Sequence, residues 1–483
     1  MYKFIEKLFS ERNFNNTAVF FKGRKYKYEE LYNDVVKLSS QISMEVGGNK
    51  RHRIGFMLDK SYDSLCVMLA IMHSGNIYVP LNKKSPLSKL KLILKRYDIL
   101  NVITNEDFDF FDCNFINIDD LKRIVVPSSS FEKQINNSKE NYAYIIFTSG
   151  STGFPKAVGI TYENLESFIE SMNEVVNIAN FDKVSFFADY FFDFSIAEIF
   201  LTLSNDSCLV IPEELEKRNP LKFVNDNHIS VWMSVPSYAN YCIEFLKLKK
   251  YNLNSIRMTI FCGEGLSVKL ADSWKVAAPN TEIFNAYGPT EATVFSTIYK
   301  YDYSKKYDSY LVPIGSNLKH IKSKIVSVDS NGFGELLLSG GQVFEGYLLE
   351  NKIKNWYKTG DIVYLDDYGI YNFFCRIDFQ IKRNGYRIDI NEIKNILLNY
   401  IPHVEVEIVD IKINNLIKVI FILEKEEYIA DLESTISNHL EIYMRPDEIV
   451  VLDEIPLNHN GKIDYKEVRV VVSKIINNTG ESK

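Results

Sequence analysis

From Thr148 to Lys156 the chain reads Thr-Ser-Gly-Ser-Thr-Gly-Phe-Pro-Lys, which packs two glycines, four hydroxyls and one lysine into nine positions directly after the apolar run Tyr144 to Phe147. Such a stretch can wrap backbone N–H groups, the hydroxyls of Thr148, Ser149, Ser151 and Thr152, and the ammonium of Lys156 around a polyphosphate, with Gly150 and Gly153 letting the backbone approach closely. It is not a Walker A loop, because Lys156 does not directly follow the second glycine and no Ser or Thr follows the lysine. A flexible surface turn is the bland alternative. A bland turn rarely concentrates so many donors behind a buried strand.

The stretch resembles the phosphate-binding motif of the adenylate-forming superfamily of acyl and aminoacyl ligases, and further segments agree in the expected order. Asn285-Ala286-Tyr287-Gly288-Pro289-Thr290-Glu291 is similar to the family's adenine and magnesium segment. Tyr357-Lys358-Thr359-Gly360-Asp361 resembles its ribose-binding motif, and Asn460-Gly461-Lys462 its catalytic-lysine loop. Arg376-Ile377-Asp378 resembles the hinge segment, with Cys375 where a glycine is usual. The resemblance implies ATP and Mg²⁺, with Phe373 and Arg376 near the nucleotide and Asp378 as the pivot. It also implies catalytic roles for Lys156, Glu291 and Lys462.

Each segment also has a reading of its own. Tyr287 offers a flat face to a base, while Thr290 and Glu291 supply oxygens suited to a hard cation. Asp361 can accept hydrogen bonds from two ribose hydroxyls, although a lone Asp after Thr-Gly more often finishes a turn. Lys462, on an Asn-Gly turn, would by default be an exposed hairpin lysine. A cation is nevertheless useful there: a carboxylate approaching an anionic phosphate is repelled by roughly 4 kcal/mol at contact distance and an effective dielectric near 20.

Phe192-Asp193-Phe194-Ser195 matches the amino-acid-binding motif of the amino-acid-activating branch, where Asp193 would pair with the substrate ammonium. The competing role for Asp193 is to cap a helix starting near Ser195. By resemblance the acyl pocket is Phe194, Ala197, Ser234, Ile260, Cys262, Ala286, Val294 and Phe295, with Lys462 reaching the substrate as well. Two phenylalanines and a β-branched wall favour a small side chain, because overpacking is costly. Within the branch, Phe261-Cys262-Gly263-Glu264 and the run Tyr287 to Val294 look most like D-alanine:D-alanyl carrier protein ligases, with Cys262 pressing on the Cα substituents. Phe194, Ala197, Ala286 and Phe295 depart from the residues usual in that group.

These residues need elements to carry them. Alternation around Gly23 predicts a hairpin from Ala18 leading into a helix near Leu31. Helices are expected over Ser61 to His73 and Leu87 to Tyr97, and strands at Leu209 to Pro212, Ser230 to Val235 and Met258 to Phe261. Together these imply stacked α/β layers around a predominantly parallel sheet. After about Pro313, short strands at Ile321 to Val328, Gly334 to Ser339 and Ile362 to Phe374 suggest a β-rich lobe. Beyond a boundary at 376–379 a small α+β domain is expected, with strands at Val404 to Ile411 and Leu416 to Leu423 and helices at Asn391 to Leu398 and Ala430 to Leu440. The expected domains are thus 1–377, binding nucleotide and amino acid, and a mobile 378–483 carrying Lys462.

With 483 residues, about three domains or lobes are expected, and 46% hydrophobic with 25% charged residues is the composition of a globular chain. Fifty-six basic against 63 acidic residues, net −7, give no cationic field for nucleic acid. The six cysteines show no C-x-x-C pair or metal-ligand spacing, and no run has the length of a membrane span, so a reduced, cytoplasmic protein is expected. The sequence reading is an amino acid ligase that loads the phosphopantetheine arm of a separate carrier protein, D-alanine being the first choice. A stand-alone adenylation enzyme of a peptide or hybrid natural-product pathway, loading another small amino acid, is second. An acyl-CoA ligase is a remote third, disfavoured by Asp193.

Overall fold

The computed structural model describes residues 2–10, 13–47, 51–106, 113–125, 141–148, 154–244, 253–307, 309–330, 332–377, 380–401, 404, 406–413, 416–423, 425–452, 454–456 and 463–480. Two compact units result: Met1–Lys83 with Ile93–Thr148 and Ala157–Ile377, and Lys84–Leu92 with Ser149–Lys156 and Asp378–Lys483.

Among the described residues, the first unit is built on a nine-stranded sheet. Its spatial order is Ser316–Asn317, Thr297–Lys300, Glu282–Tyr287, Met258–Phe261, Val231–Ser234, Lys183–Ser185, Cys208–Val210, Thr17–Phe21 and Arg24–Lys27. The middle of this sheet is parallel, as the sequence implied, and its edges are antiparallel. Val231–Ser234 and Met258–Phe261 are buried at every position, which is what a parallel strand covered on both faces requires. A six-stranded sheet, Asn114–Asn117, Asn101–Thr104, Arg53–Met57, Ile77–Pro80, Tyr142–Thr148 and Lys156–Thr161, forms a second layer. The helix Tyr62–His73 is apolar all round and buried from Leu65 to Met72, a core helix that starts at a Ser61–Ser64 capping box.

The β-rich lobe is an antiparallel sheet of Ile321–Val326, Gly334–Gly340, Tyr357–Leu365 and Tyr371–Arg376. Here the structure corrects the expected single segment Ile362 to Phe374. It is two strands joined by a turn at Asp366–Gly369, and the first begins at Tyr357. The polar run Lys358 to Asp361 therefore lies within a strand. Gly360, with φ +71°, and register shifts on both sides of this strand accommodate it as bulges.

The second unit contains a hairpin, Gln380–Arg383 with Tyr386–Asp389, and a sheet of Glu407–Ile413, Leu416–Leu423 and Glu448–Val451. Alternate residues of its central strand face opposite ways: Val419, Phe421 and Leu423 join one apolar cluster, Ile420 and Ile422 another. Helices Ile390–Tyr400 and Ile429–His439 supply residues to the first cluster and Tyr465–Gly480 to the second. No helix among the described residues is long and apolar enough to cross a membrane.

Candidate active site

The C-terminal ends of adjacent parallel strands are where open α/β sheets place ligands. Ser234 ends one such strand, Ile260 lies one residue from the end of the next, Cys262 follows it, and Ala286 lies near the end of the third. Phe194 and Ala197 come from the helix Phe194–Leu203, and Val294 and Phe295 from the turn after the short helix Thr290–Ala292. Seven of the eight expected pocket residues belong to one buried apolar cluster, which Tyr287 also joins. The Phe295 ring meets Phe194 at 5.7 Å and Phe168 at 5.6 Å, centroid to centroid, so Phe168, which the sequence reading did not name, packs on the same ring. The Ser234 hydroxyl is engaged locally: it accepts from the Trp232 indole at 2.7 Å and donates to the Val235 carbonyl at 3.0 Å.

Asp193 stands at the N-terminus of the helix Phe194–Leu203 with only 6% of its surface exposed. Its φ and ψ, −62° and −20°, are already helical, and its side chain makes no capping hydrogen bond, so capping does not explain it. The segment leading to it is gripped from two directions. Glu198, fully buried on that helix, accepts from the amides of Phe187 at 2.8 Å and Ala188 at 3.0 Å. Lys60 donates to the carbonyls of Phe187 at 2.6 Å and Phe186 at 3.3 Å. Burial pushes the Glu198 carboxyl up to about 8 and brings the Lys60 ammonium down to about 8.

Asp361 is bracketed within its strand. Tyr287 Oη donates to Oδ2 at 2.5 Å and Arg376 Nη1 pairs with Oδ1 at 2.5 Å. Its amide donates to Thr359 Oγ1 at 3.0 Å, and that hydroxyl donates to the Leu336 carbonyl at 2.7 Å, fixing the bulge. Burial and then the Asp361 charge hold the Tyr287 phenol well above its ordinary range, so it remains a donor. A carboxylate offers about four lone-pair sites. Those that Tyr287 and Arg376 leave can accept from a ribose diol. Asn285 spends its amide on the carbonyls of Pro313 at 2.9 Å and Val312 at 3.2 Å, tying the strand end to the following segment. Phe373 packs against the main cluster from the strand Tyr371–Arg376.

After Tyr287 the chain turns at Gly288-Pro289. A Cβ at Gly288 would stand 2.5 Å from the Val294 carbonyl oxygen, so only glycine allows this approach. Thr290 opens the short helix, and Glu291, fully buried, accepts from Tyr347 Oη at 2.6 Å. One hydroxyl and one carboxylate form an all-oxygen donor set, which fits Mg²⁺ sharing its coordination with substrate phosphates and water. Thr148 ends the strand Tyr142–Thr148 and Lys156 begins Lys156–Thr161. Ser149, Gly150, Ser151, Thr152, Gly153, Asp378 and Lys462 lie outside the described residues.

Residues 7–348 match the AMP-binding enzyme family. The chain is 30% identical to the D-alanine–D-alanyl carrier protein ligase of Lactococcus lactis, over 92% of this chain and 93% of that protein. It is 28% identical to gramicidin S synthase 1 of Brevibacillus brevis over 96% of this chain, which corresponds to 44% of that protein. In structure it is similar to the Vibrio cholerae adenylation domain AlmE in complex with glycyl-adenosine-5′-phosphate, with a TM-score of 0.81 at 23% identity and 97% coverage of both chains. The matched sequence shows the family: this chain belongs to the AMP-binding enzyme family, in the amino-acid-adenylating branch of the adenylate-forming superfamily, and is an ATP-using, AMP-forming ligase.

Proposed function

We propose that this ligase activates a small amino acid, D-alanine first, and transfers it to the phosphopantetheine thiol of a separate carrier protein. The observation that carries this reading is Asp193: a buried carboxylate at the start of the helix Phe194–Leu203, next in the chain to Phe194, whose ring packs on Phe295, the two phenylalanines expected to narrow the acyl pocket. A carboxylate so placed would pair with a substrate ammonium. The likeness to ligases named for D-alanine and a carrier protein supports the choice of substrate and acceptor.

In the first half-reaction the substrate carboxylate oxygen attacks the α-phosphorus of ATP, and the bond from that phosphorus to the departing pyrophosphate breaks. Asp361, held by Tyr287 and Arg376, would fix the ribose. Lys156 and the glycine-rich loop would hold the phosphates, and Lys462 would screen the approaching anions. Mg²⁺, held by Thr290 and Glu291, would neutralise phosphate charge. In the second half-reaction the carrier thiolate attacks the acyl carbon and AMP leaves. Residues 378–483 would turn about Asp378 between the two.

Exchange of labelled pyrophosphate into ATP, measured with D-alanine, L-alanine, glycine, serine, acetate and a fatty acid, tests the reading. D-Alanine should give the fastest exchange. A preference for glycine or serine would favour the second reading, a stand-alone adenylation enzyme for another small amino acid. Exchange with acetate or fatty acid while every amino acid fails would reject both.

A further inference from the structure

Phe295 walls the proposed pocket, and the backbone before it adopts a conformation that its own residues disfavour. Thr293 and Val294 have φ of 55° and 67°, a region that β-branched side chains rarely enter. The Phe295 amide donates to the Thr293 carbonyl at 2.9 Å, closing a γ-turn around Val294 of the strained, positive-φ kind. Such a turn persists only where surrounding contacts over-determine it.

Beside the close approach of Gly288 and the ring contacts of Phe168 and Phe194, several of those contacts come from one segment, residues 342–347. Thr293 Oγ1 donates to the Gln342 carbonyl at 2.6 Å, and Gln342 Nε2 donates to the Phe295 carbonyl at 2.7 Å. The Phe344 amide meets the Glu291 carbonyl at 2.9 Å, and Tyr347 Oη meets the Glu291 carboxylate at 2.6 Å. Gln342 is fully buried and its Oε1 has no hydrogen-bond partner among the described residues. An apolar side chain would avoid that desolvation cost. The amide's one side-chain hydrogen bond goes to the pocket wall.

Resting on the amino acid reading, we propose that Gln342 is a positioning residue for specificity: its side chain clamps the Thr293–Phe295 turn and so sets how far the Phe295 ring projects into the acyl pocket. Its side-chain hydrogen bond goes to the turn, so in this proposal it acts on the amino acid end of the site. Loss of the clamp lets the strained turn relax and the ring retreat. Small substrates lose contact and bulkier ones gain room.

The test is pyrophosphate exchange by the full chain carrying Gln342→Met, which keeps length and apolar bulk but removes the donor, with KM and kcat measured for alanine, valine and ATP. The KM for alanine should rise roughly ten-fold and the preference for alanine over valine should fall by about the same factor, as expected when one pocket wall is displaced. The KM for ATP should stay within about two-fold, since the Phe344 and Tyr347 ties to Glu291 remain. Thr293→Val, which removes the other hydrogen bond while keeping the branched side chain, should move the same ratio in the same direction, and it decides the matter if Gln342→Met does not fold. Unchanged alanine preference in a folded variant, or equal rises in the alanine and ATP KM values, overturns the proposal. If the unaltered chain exchanges with no amino acid, the substrate reading has failed instead, and the same comparison is made between the smallest acid it does accept and a bulkier homologue.

Discussion

At the scale of single residues, the account turns on two buried carboxylates with different surroundings. Asp361 is held by a cation and a phenol and spends part of its accepting capacity on them. Removing one partner of a buried pair leaves an uncompensated charge, so Arg376→Ala should cost roughly 3 kcal/mol in urea unfolding and raise the KM for ATP. The double substitution Arg376→Ala with Asp361→Asn should recover much of the stability but not ATP use. A cost below about 1 kcal/mol for the single change would mean that the pair is effectively solvated. The order of motifs singled out Asp361, Tyr287 and Glu291 as candidates, and the structure joins the first two by a hydrogen bond. The ties made by Tyr347 and Gln342 were not legible in the sequence, because they are hydrogen bonds to residues some fifty positions earlier that carry no local signature.

At the scale of elements, the segment from Phe186 to Asp193 is held between the helix Phe194–Leu203 and Lys60. Glu198 has its carboxyl raised by burial from 4.5 to about 8, so between those values the folded state keeps a proton that the unfolded state has lost. Stability must therefore fall as pH rises through that window, by up to the order of 1 kcal/mol per pH unit. Lys60 acts oppositely and later: its folded value is lowered from 10.5 to about 8, so its contribution to stability rises only above about pH 8. Urea midpoints measured from pH 5 to 8 should decline, and Glu198→Gln should flatten the decline. An equally steep fall in the variant would assign it to other groups. Periodicity predicted the helices and parallel strands well, since burial enforces it. It missed the start of the strand Tyr357–Leu365, where a bulge at Gly360 lets polar residues interrupt the alternation.

At the scale of the molecule, the sequence implied stacked α/β layers, and the structure shows nine- and six-stranded sheets among its described residues, with Ser234, Ile260, Cys262 and Ala286 at or near the ends of adjacent parallel strands. Parallel strands buried on both faces announce themselves by unbroken apolar runs; the turn Thr293–Phe295 does not, because its positive-φ residues are ordinary in sequence. In the proposed function, which acid enters depends on Asp193 recognising an amine. That claim is tested most directly by pyrophosphate exchange with D-alanine and with propionate, its deaminated counterpart, for the unaltered chain and for Asp193→Asn. The account predicts that the unaltered chain uses D-alanine and ignores propionate, and that Asp193→Asn loses D-alanine exchange by roughly a hundred-fold or more, the loss of a buried charge-assisted pair. Equal exchange with propionate, or a variant that still uses D-alanine normally, would contradict it.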